Sequence, residues 1–207
     1  MNKIEELYLL EELLRRHNLP LSPVLEYAIK ERIKEYSLST NCEPLAKRQE
    51  ISCTDNADID DYGNMFKNLS VGIANGRKLP HKALLLLAVL NLIENGSLIV
   101  NQIELDKTIA SKFADQWNIY YENTKVPSVW TPFWYMKSEP FWHFKSNGDN
   151  TLLNGLLNFA GHPTIGQMRS VIKYAYLDKA LFDYLENEGC RKKLKDVLVN
   201  TYIKNFD

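Results

Sequence analysis

The sequence predicts a mostly helical α+β fold: a winged-helix-like domain with an aromatic β-hairpin, preceded by an N-terminal helical hairpin. Three observations lead to this prediction. Apolar residues recur at helical spacing along much of the 207-residue chain. One aromatic segment consists of two similar halves around a polar centre, as a β-hairpin does. A polar stretch at residues 37–61 separates the two parts and is expected to be a linker.

Residues 1–36 have the pattern of two short helices. Ser22 can cap the second of them, over residues 23–36, with Pro23 at its first helical position. Two short helices cannot bury their apolar stripes alone, so we expect them to pack on the main domain or to form a homodimer. The first helix, over residues 3–16, carries such a stripe at Ile4, Leu7, Leu10, Leu13 and Leu14.

The second part of the chain, residues 62–207, is expected to form the main domain. The motif Pro80-His81-Lys82 opens a strongly apolar helix that stops at Asn95-Gly96, and Asp106 can cap the next helix. In chain order, the expected elements are a helix over 83–94, an extended segment over 97–105, and helices over 107–121, 165–174, 178–187 and 190–205.

The aromatic segment over residues 128–145 supplies the expected β-hairpin. It repeats the motif Pro-Phe-Trp at Pro132 and Pro140, and its polar centre at residues 137–139 is suited to a turn. Alternation along the two strands would bury about half of its aromatic side chains. Two helices followed by this hairpin give the layout of a winged-helix-like module.

The formal net charge of −1 gives no general argument that the chain binds a polyanion. The charge is uneven, because residues 1–60 contain 8 Lys and Arg against 12 Asp and Glu, whereas residues 61–207 contain 17 against 14. Only a local basic patch in the second part could therefore bind nucleic acid.

Composition and motifs predict no membrane, metal or cofactor. The longest apolar run, Ala83–Leu90, is too short to cross a bilayer, and the acidic N-terminus is unlike a signal peptide. Three cysteines without a CxxC pair disfavour a disulfide framework and a zinc site. The acidic run at residues 54–61 lacks the glycine and the closing glutamate of an EF-hand loop. These features predict a cytoplasmic protein with reduced cysteines.

The sequence predicts no catalytic residue. No P-loop, serine hydrolase, zincin or dinucleotide-binding motif is present. The histidines lack the neighbouring metal ligands of an HNH nuclease, because they are scattered at His17, His81, His143 and His162. We therefore expect that the protein is not an enzyme, and an enzyme with an unfamiliar site is left as an alternative.

A basic segment, Gly76–Lys82, lies just before and at the start of the apolar helix. Its cations are Arg77, Lys78 and Lys82, with His81 beside them. The free N–H groups and the dipole of a helix N-terminus, together with such cations, suit a phosphate group. By composition alone, an ordinary polar loop before a helix is the alternative.

Three segments, taken in order and spacing, resemble one known family of DNA-binding domains. They are Pro80–Leu87, Pro132–Trp134, and Tyr174–Leu185 followed by Cys190–Tyr202. The family is the sulfur-binding domain that precedes HNH modules in bacterial type IV restriction endonucleases, and the resemblance covers roughly residues 62–205. In that family the domain recognises phosphorothioate DNA, in which sulfur replaces a non-bridging phosphate oxygen.

The resemblance implies a DNA-binding site with two sides. The phosphate side falls on His81 and Lys82, and the sulfur pocket falls on Thr131 and Pro132, where Thr131 replaces an aromatic residue. His162 lies in the loop that would make a further base or backbone contact. Together with the basic segment, the expected binding residues are Arg77, Lys78, Pro80, His81, Lys82, Thr131, Pro132 and Tyr135.

The function expected from these observations is recognition of double-stranded DNA, phosphorothioated as in the family, within a restriction or defence system. The nuclease would be a separate chain or a further module. The alternative is a helical protein-interaction module of such a system that does not bind DNA.

Overall fold

A computed structural model describes residues 57–74, 76–122 and 124–204, without the side chains of Ala57, Asp58 and Arg77. The described residues form one compact unit. The helical hairpin predicted for residues 1–36 and most of the linker predicted for residues 37–61 lie outside the described residues.

The fold is mostly helical with short antiparallel strands, which confirms the predicted α+β class. The helices are α1 (Ala57–Lys67), α2 (His81–Glu94), α3 (Lys107–Tyr120), α4 (Trp130–Tyr135), α5 (Asn150–Leu157), α6 (Ile165–Val171), α7 (Lys179–Glu186) and α8 (Glu188–Tyr202). The strands are β1 (Ile73–Ala74), β2 (Arg77–Lys78), β3 (Trp142–Ser146) and β4 (Ile172–Leu177). Helix α1 begins inside the segment that was expected to be a linker. Within the described ranges, none of the helices has the length and apolar character needed to cross a membrane.

Helix α2 forms the centre of the core, as its apolar sequence predicts. Every side chain from Lys82 to Ile93 is buried except that of Asn91. A helix that is apolar on all sides has to be covered on all sides, and α2 packs against α3, α4 and α8. The buried helix therefore holds its first turn, at His81 and Lys82, in a fixed position.

The cap predicted for helix α3 is present. The carboxylate of Asp106 accepts hydrogen bonds from the backbone N–H groups of Thr108 (2.9 Å) and Ile109 (3.1 Å). These bonds satisfy two of the N–H groups that have no partner inside the helix. Ile109 and Phe113 then face the core and are almost fully buried.

The aromatic segment does not form the predicted β-hairpin. Trp130–Tyr135 is helix α4, and it continues into a 3₁₀ turn at Met136–Ser138. Pro132 lies in the first turn of α4, where the missing N–H costs no hydrogen bond. The neighbours Phe133 and Trp134 are both buried, whereas strand alternation would expose one of them. The predicted winged-helix layout, which depended on this hairpin, is not confirmed by the structure.

The second half of the aromatic segment is a strand, but its partner is distant in sequence. Strand β3 pairs with β4 from Trp142 opposite Leu177 to Ser146 opposite Ile172, with a bulge between Lys145 and Ser146. The helix predicted over 165–174 ends at Val171, because Ile172–Leu177 forms strand β4, which is rich in β-branched and aromatic residues. The segment 97–105, expected to be extended, contributes a single bridge between Ile103 and Ala175.

A small β-hairpin precedes helix α2, where the sequence was interpreted as a polar loop. Ile73 lies opposite Lys78 and Ala74 lies opposite Arg77. Gly76 has a φ of 74°, a conformation that glycine adopts without steric cost. The dipeptide Asn-Gly at residues 75–76 is a strong hairpin signal, so this element could have been found from the sequence.

The prediction of reduced cysteines is wrong for Cys190, which is buried in α8 and disulfide-bonded. Cys42 and Cys53 lie outside the described residues. The cysteine count therefore no longer supports a reducing compartment.

Candidate nucleic-acid interface

One pocket joins the two sides of the site that the sequence predicts. It has a volume of about 390 Å³ and lies between the start of α2 and helix α4. These two segments are distant in sequence, and the fold brings them together because α4 packs on α2. The lining residues are Ser70, Val71, Gly72, Leu79, His81, Lys82, Thr131, Pro132, Tyr135 and Ser138.

Lys82, predicted to contact phosphate, is instead buried in an ion pair. Its Nζ lies 2.5 Å from Oε1 of Glu139 and donates to Oγ of Ser138 at 2.7 Å. The two charged side chains are only 7% and 3% exposed. Because ammonium and carboxylate cancel each other's charge, Lys82 adds a structural link to the pocket but no net positive charge.

Glu139, the buried partner of the pocket-lining Lys82, is a residue that sequence reasoning missed. Its Oε1 also accepts hydrogen bonds from the backbone N–H of Ser70 (3.1 Å) and from Ser138 Oγ (3.0 Å). The carboxylate therefore ties the segment before β1, helix α2 and the 3₁₀ turn together. A sequence signal existed, since a lysine inside an otherwise apolar buried helix requires a buried partner of opposite charge.

The start of helix α2 offers hydrogen-bond donors to the pocket. Pro80 is the N-cap and provides no side-chain cap, and the backbone N–H of Leu84 donates to Pro80 O at 2.8 Å. The N–H groups of the first turn before Leu84 have no acceptor inside the helix, as at helix starts that bind anions. His81 packs on Trp117 with ring centroids 5.3 Å apart. Burial lowers the pKa of His81 below its usual value, which favours a neutral ring at neutral pH.

The rim of the pocket brings together three of the predicted residues. Thr131 Oγ1 lies 3.4 Å from Nε2 of His162, and the His162 ring packs on Tyr135 at a centroid distance of 5.5 Å. His162 belongs to the loop after α5, where Phe159 packs so closely on Gly161 that a Cβ there would lie 2.6 Å from the ring. The neighbouring Pro132 is buried in the wall of the pocket.

The β1–β2 hairpin adjoins the pocket and carries the exposed Lys78. The residues that flank its strands, Gly72 and Leu79, line the pocket, whereas Lys78 is exposed and its Nζ lies 5.2 Å from the ring centroid of Tyr202. The structure describes the backbone of Arg77 but not its side chain. The predicted residues thus divide into a neutral pocket and a basic hairpin next to it.

The described residues contain no group of three or more His, Cys, Asp and Glu side chains that could hold a metal ion.

The pocket between α2 and α4 has apolar walls, neutral hydrogen-bonding groups and one lysine whose charge is paired internally. Comparison of the chain with protein-family models and with curated proteins gives no match.

Proposed function

We propose that this chain is a DNA-binding module that recognises a modified backbone, most specifically a phosphorothioate group. The proposal depends on one observation: the start of α2 and the Thr131–Pro132 wall border the same pocket. The setting we propose is a cytoplasmic bacterial restriction or defence system in which the nuclease activity belongs to another chain or domain.

The chemistry of the pocket suits a phosphorothioate. This group keeps the negative charge of a phosphate but carries a larger and more weakly hydrated sulfur atom. Leu79, Pro132 and Tyr135 give the pocket apolar walls for sulfur. The N–H groups at the start of α2 can receive the oxygen atoms, while the hairpin lysine Lys78 and its neighbour Arg77 supply the positive charge.

Removal of the hairpin cations is expected to weaken DNA binding. In the double variant Arg77→Ala with Lys78→Ala, the slope of log Kd against log salt should fall by about 1.8, since each duplex phosphate contact contributes about 0.9. The matched control, Lys125→Ala with Lys192→Ala, removes the same charge from two other exposed positions. Fluorescence anisotropy with a labelled duplex, repeated over a range of salt concentrations, measures the slope for each double variant. Equal slopes for the two double variants would show that the hairpin does not contact phosphate.

A variant of the wall is expected to change the preference for sulfur. Thr131→Tyr should raise the ratio of phosphorothioate to phosphate affinity about five-fold, because one apolar contact of about 1 kcal/mol favours the weakly hydrated sulfur. Pro132→Ala should lower this ratio. Competition between two otherwise identical duplexes measures it. If the wild type and both variants bind the two duplexes equally, sulfur is not the group that the module recognises.

A further inference from the structure

We infer that the pocket receives a nucleobase turned out of the DNA duplex, and that Ile73 of the β1–β2 hairpin fills the space that the base leaves. This inference rests on the proposed DNA binding and names a second part of the DNA, besides the backbone group, that the pocket accepts. Enzymes that act on a single base combine these two features, because an extruded base needs a pocket and the gap in the stack is costly.

The size of the pocket favours an occupant larger than one sulfur atom. Its volume of about 390 Å³ falls within the range of roughly 300–1,000 Å³ that is typical of small-molecule sites. A sulfur atom on the DNA backbone, seated against Pro132 as proposed above, would fill only a small part of this space and would leave room for a base. A base, in contrast, is a flat group of the size that such pockets accommodate.

The chemistry of the lining also favours a base. Lys82 lines the pocket, but its charge is balanced by the buried carboxylate of Glu139, so the site suits a neutral ring. Bases have apolar faces and a polar edge, so they require apolar walls with a few hydrogen-bonding groups. Ser138 and the half-buried His81 supply such groups.

Tyr135 provides a surface on which the base can stack. It lines the pocket, yet 46% of its surface is exposed, and the ring of His162 supports it at 5.5 Å. Bases stack readily on exposed aromatic side chains. The adjacent ring of His162 limits the movement of Tyr135 and extends the aromatic rim.

Ile73 has the position and exposure of a wedge. It is 71% exposed, although isoleucine is among the residues most often buried. Its cross-strand neighbour is the exposed Lys78, so an apolar side chain and a cation lie side by side. Proteins that insert an apolar side chain between base steps use the same combination of apolar and basic residues. The hairpin adjoins the pocket, because Gly72 and Leu79 at its base line the pocket and are joined by a hydrogen bond from Leu79 N–H to Gly72 O (2.8 Å).

The inference is tested by the affinity of the full chain for three labelled duplexes of one sequence. One is fully paired, one contains a single T·T mismatch, and one has an abasic site in place of one mismatched base. The mismatched duplex should bind about ten-fold tighter than the paired duplex, because its base is extruded at a lower cost. It should also bind several-fold tighter than the abasic duplex, which offers the pocket no base at that position.

Two variants distinguish the contribution of the pocket to DNA affinity from that of the wedge residue Ile73. Val71→Trp, which fills the pocket, should remove the preference for the mismatched over the abasic duplex. Ile73→Ala should weaken binding to both of these duplexes about five-fold. The matched control is Ile119→Ala, since Ile119 is 64% exposed on α3, and it should leave all three affinities unchanged.

The possible failures are distinguishable. If all three duplexes bind with equal affinity, DNA binding stands and the extruded base is excluded. If Ile73→Ala and Ile119→Ala have the same effect, Ile73 is not the wedge. If no duplex binds, plain or phosphorothioated, the proposed function itself fails.

Discussion

Replacement of Lys82 by methionine is expected to lower the free energy of unfolding by about 3–5 kcal/mol. Methionine leaves the carboxylate of Glu139 buried without its counter-ion, although that side chain is only 3% exposed. The desolvation of the unpaired charge accounts for most of the loss. Urea denaturation, followed by circular dichroism, measures the change.

Two further variants make this result specific to the ion pair. Adding Glu139→Gln to Lys82→Met should restore most of the stability, because the amide oxygen still accepts from Ser70 and carries no charge. As a control, Lys112→Met removes a lysine that pairs with Asp115 at the surface, and it should cost about 0.5 kcal/mol or less. If Lys82→Met leaves stability unchanged but lowers the salt dependence of DNA binding, Lys82 is a phosphate ligand after all.

Replacement of Trp134 by alanine is expected to cost about 3–5 kcal/mol of stability. The Trp134 side chain is 1% exposed, stacks on Phe144 with centroids 6.1 Å apart, and lies under Nζ of Lys137 at 4.2 Å. It also packs with Leu153 and Met168, so its removal leaves a large cavity between α4, α5 and α6.

Trp130 is the matched control, because it lies one turn earlier on the same helix and is 37% exposed. Trp130→Ala is expected to cost no more than about 1 kcal/mol, since an exposed ring loses less buried area. Thermal unfolding of the two variants under identical conditions compares them. Equal losses of stability would contradict the placement of Trp134 in the core and Trp130 at the surface.

The long periodic elements were predictable because their signals are local. The apolar pattern of α2 and the carboxylate of Asp106 before α3 each identify an element from neighbouring residues alone. The segments that contain His81 and Pro132 were expected to form one site, and they do line one pocket, whereas the ligand of that pocket stays a prediction.

The aromatic segment was predicted incorrectly because its signal depends on distant residues. The repeated Pro-Phe-Trp motif favours two paired strands, but helix α4 buries Phe133 and Trp134 together. Strand β3 has its partner in β4, which short-range alternation cannot identify. The role of Lys82 was missed for the same reason, because Glu139 approaches it only in the folded chain.

The ion pair between Lys82 and Glu139 also limits how this sequence can change over evolutionary time. Loss of either residue alone removes a large part of the roughly 5–15 kcal/mol by which a typical domain is stable. A lineage can therefore lose the pair only through a simultaneous double change or after stabilising changes elsewhere. Among diverging descendants of this chain, the two positions should vary together, even if the residues that line the pocket around them are free to change.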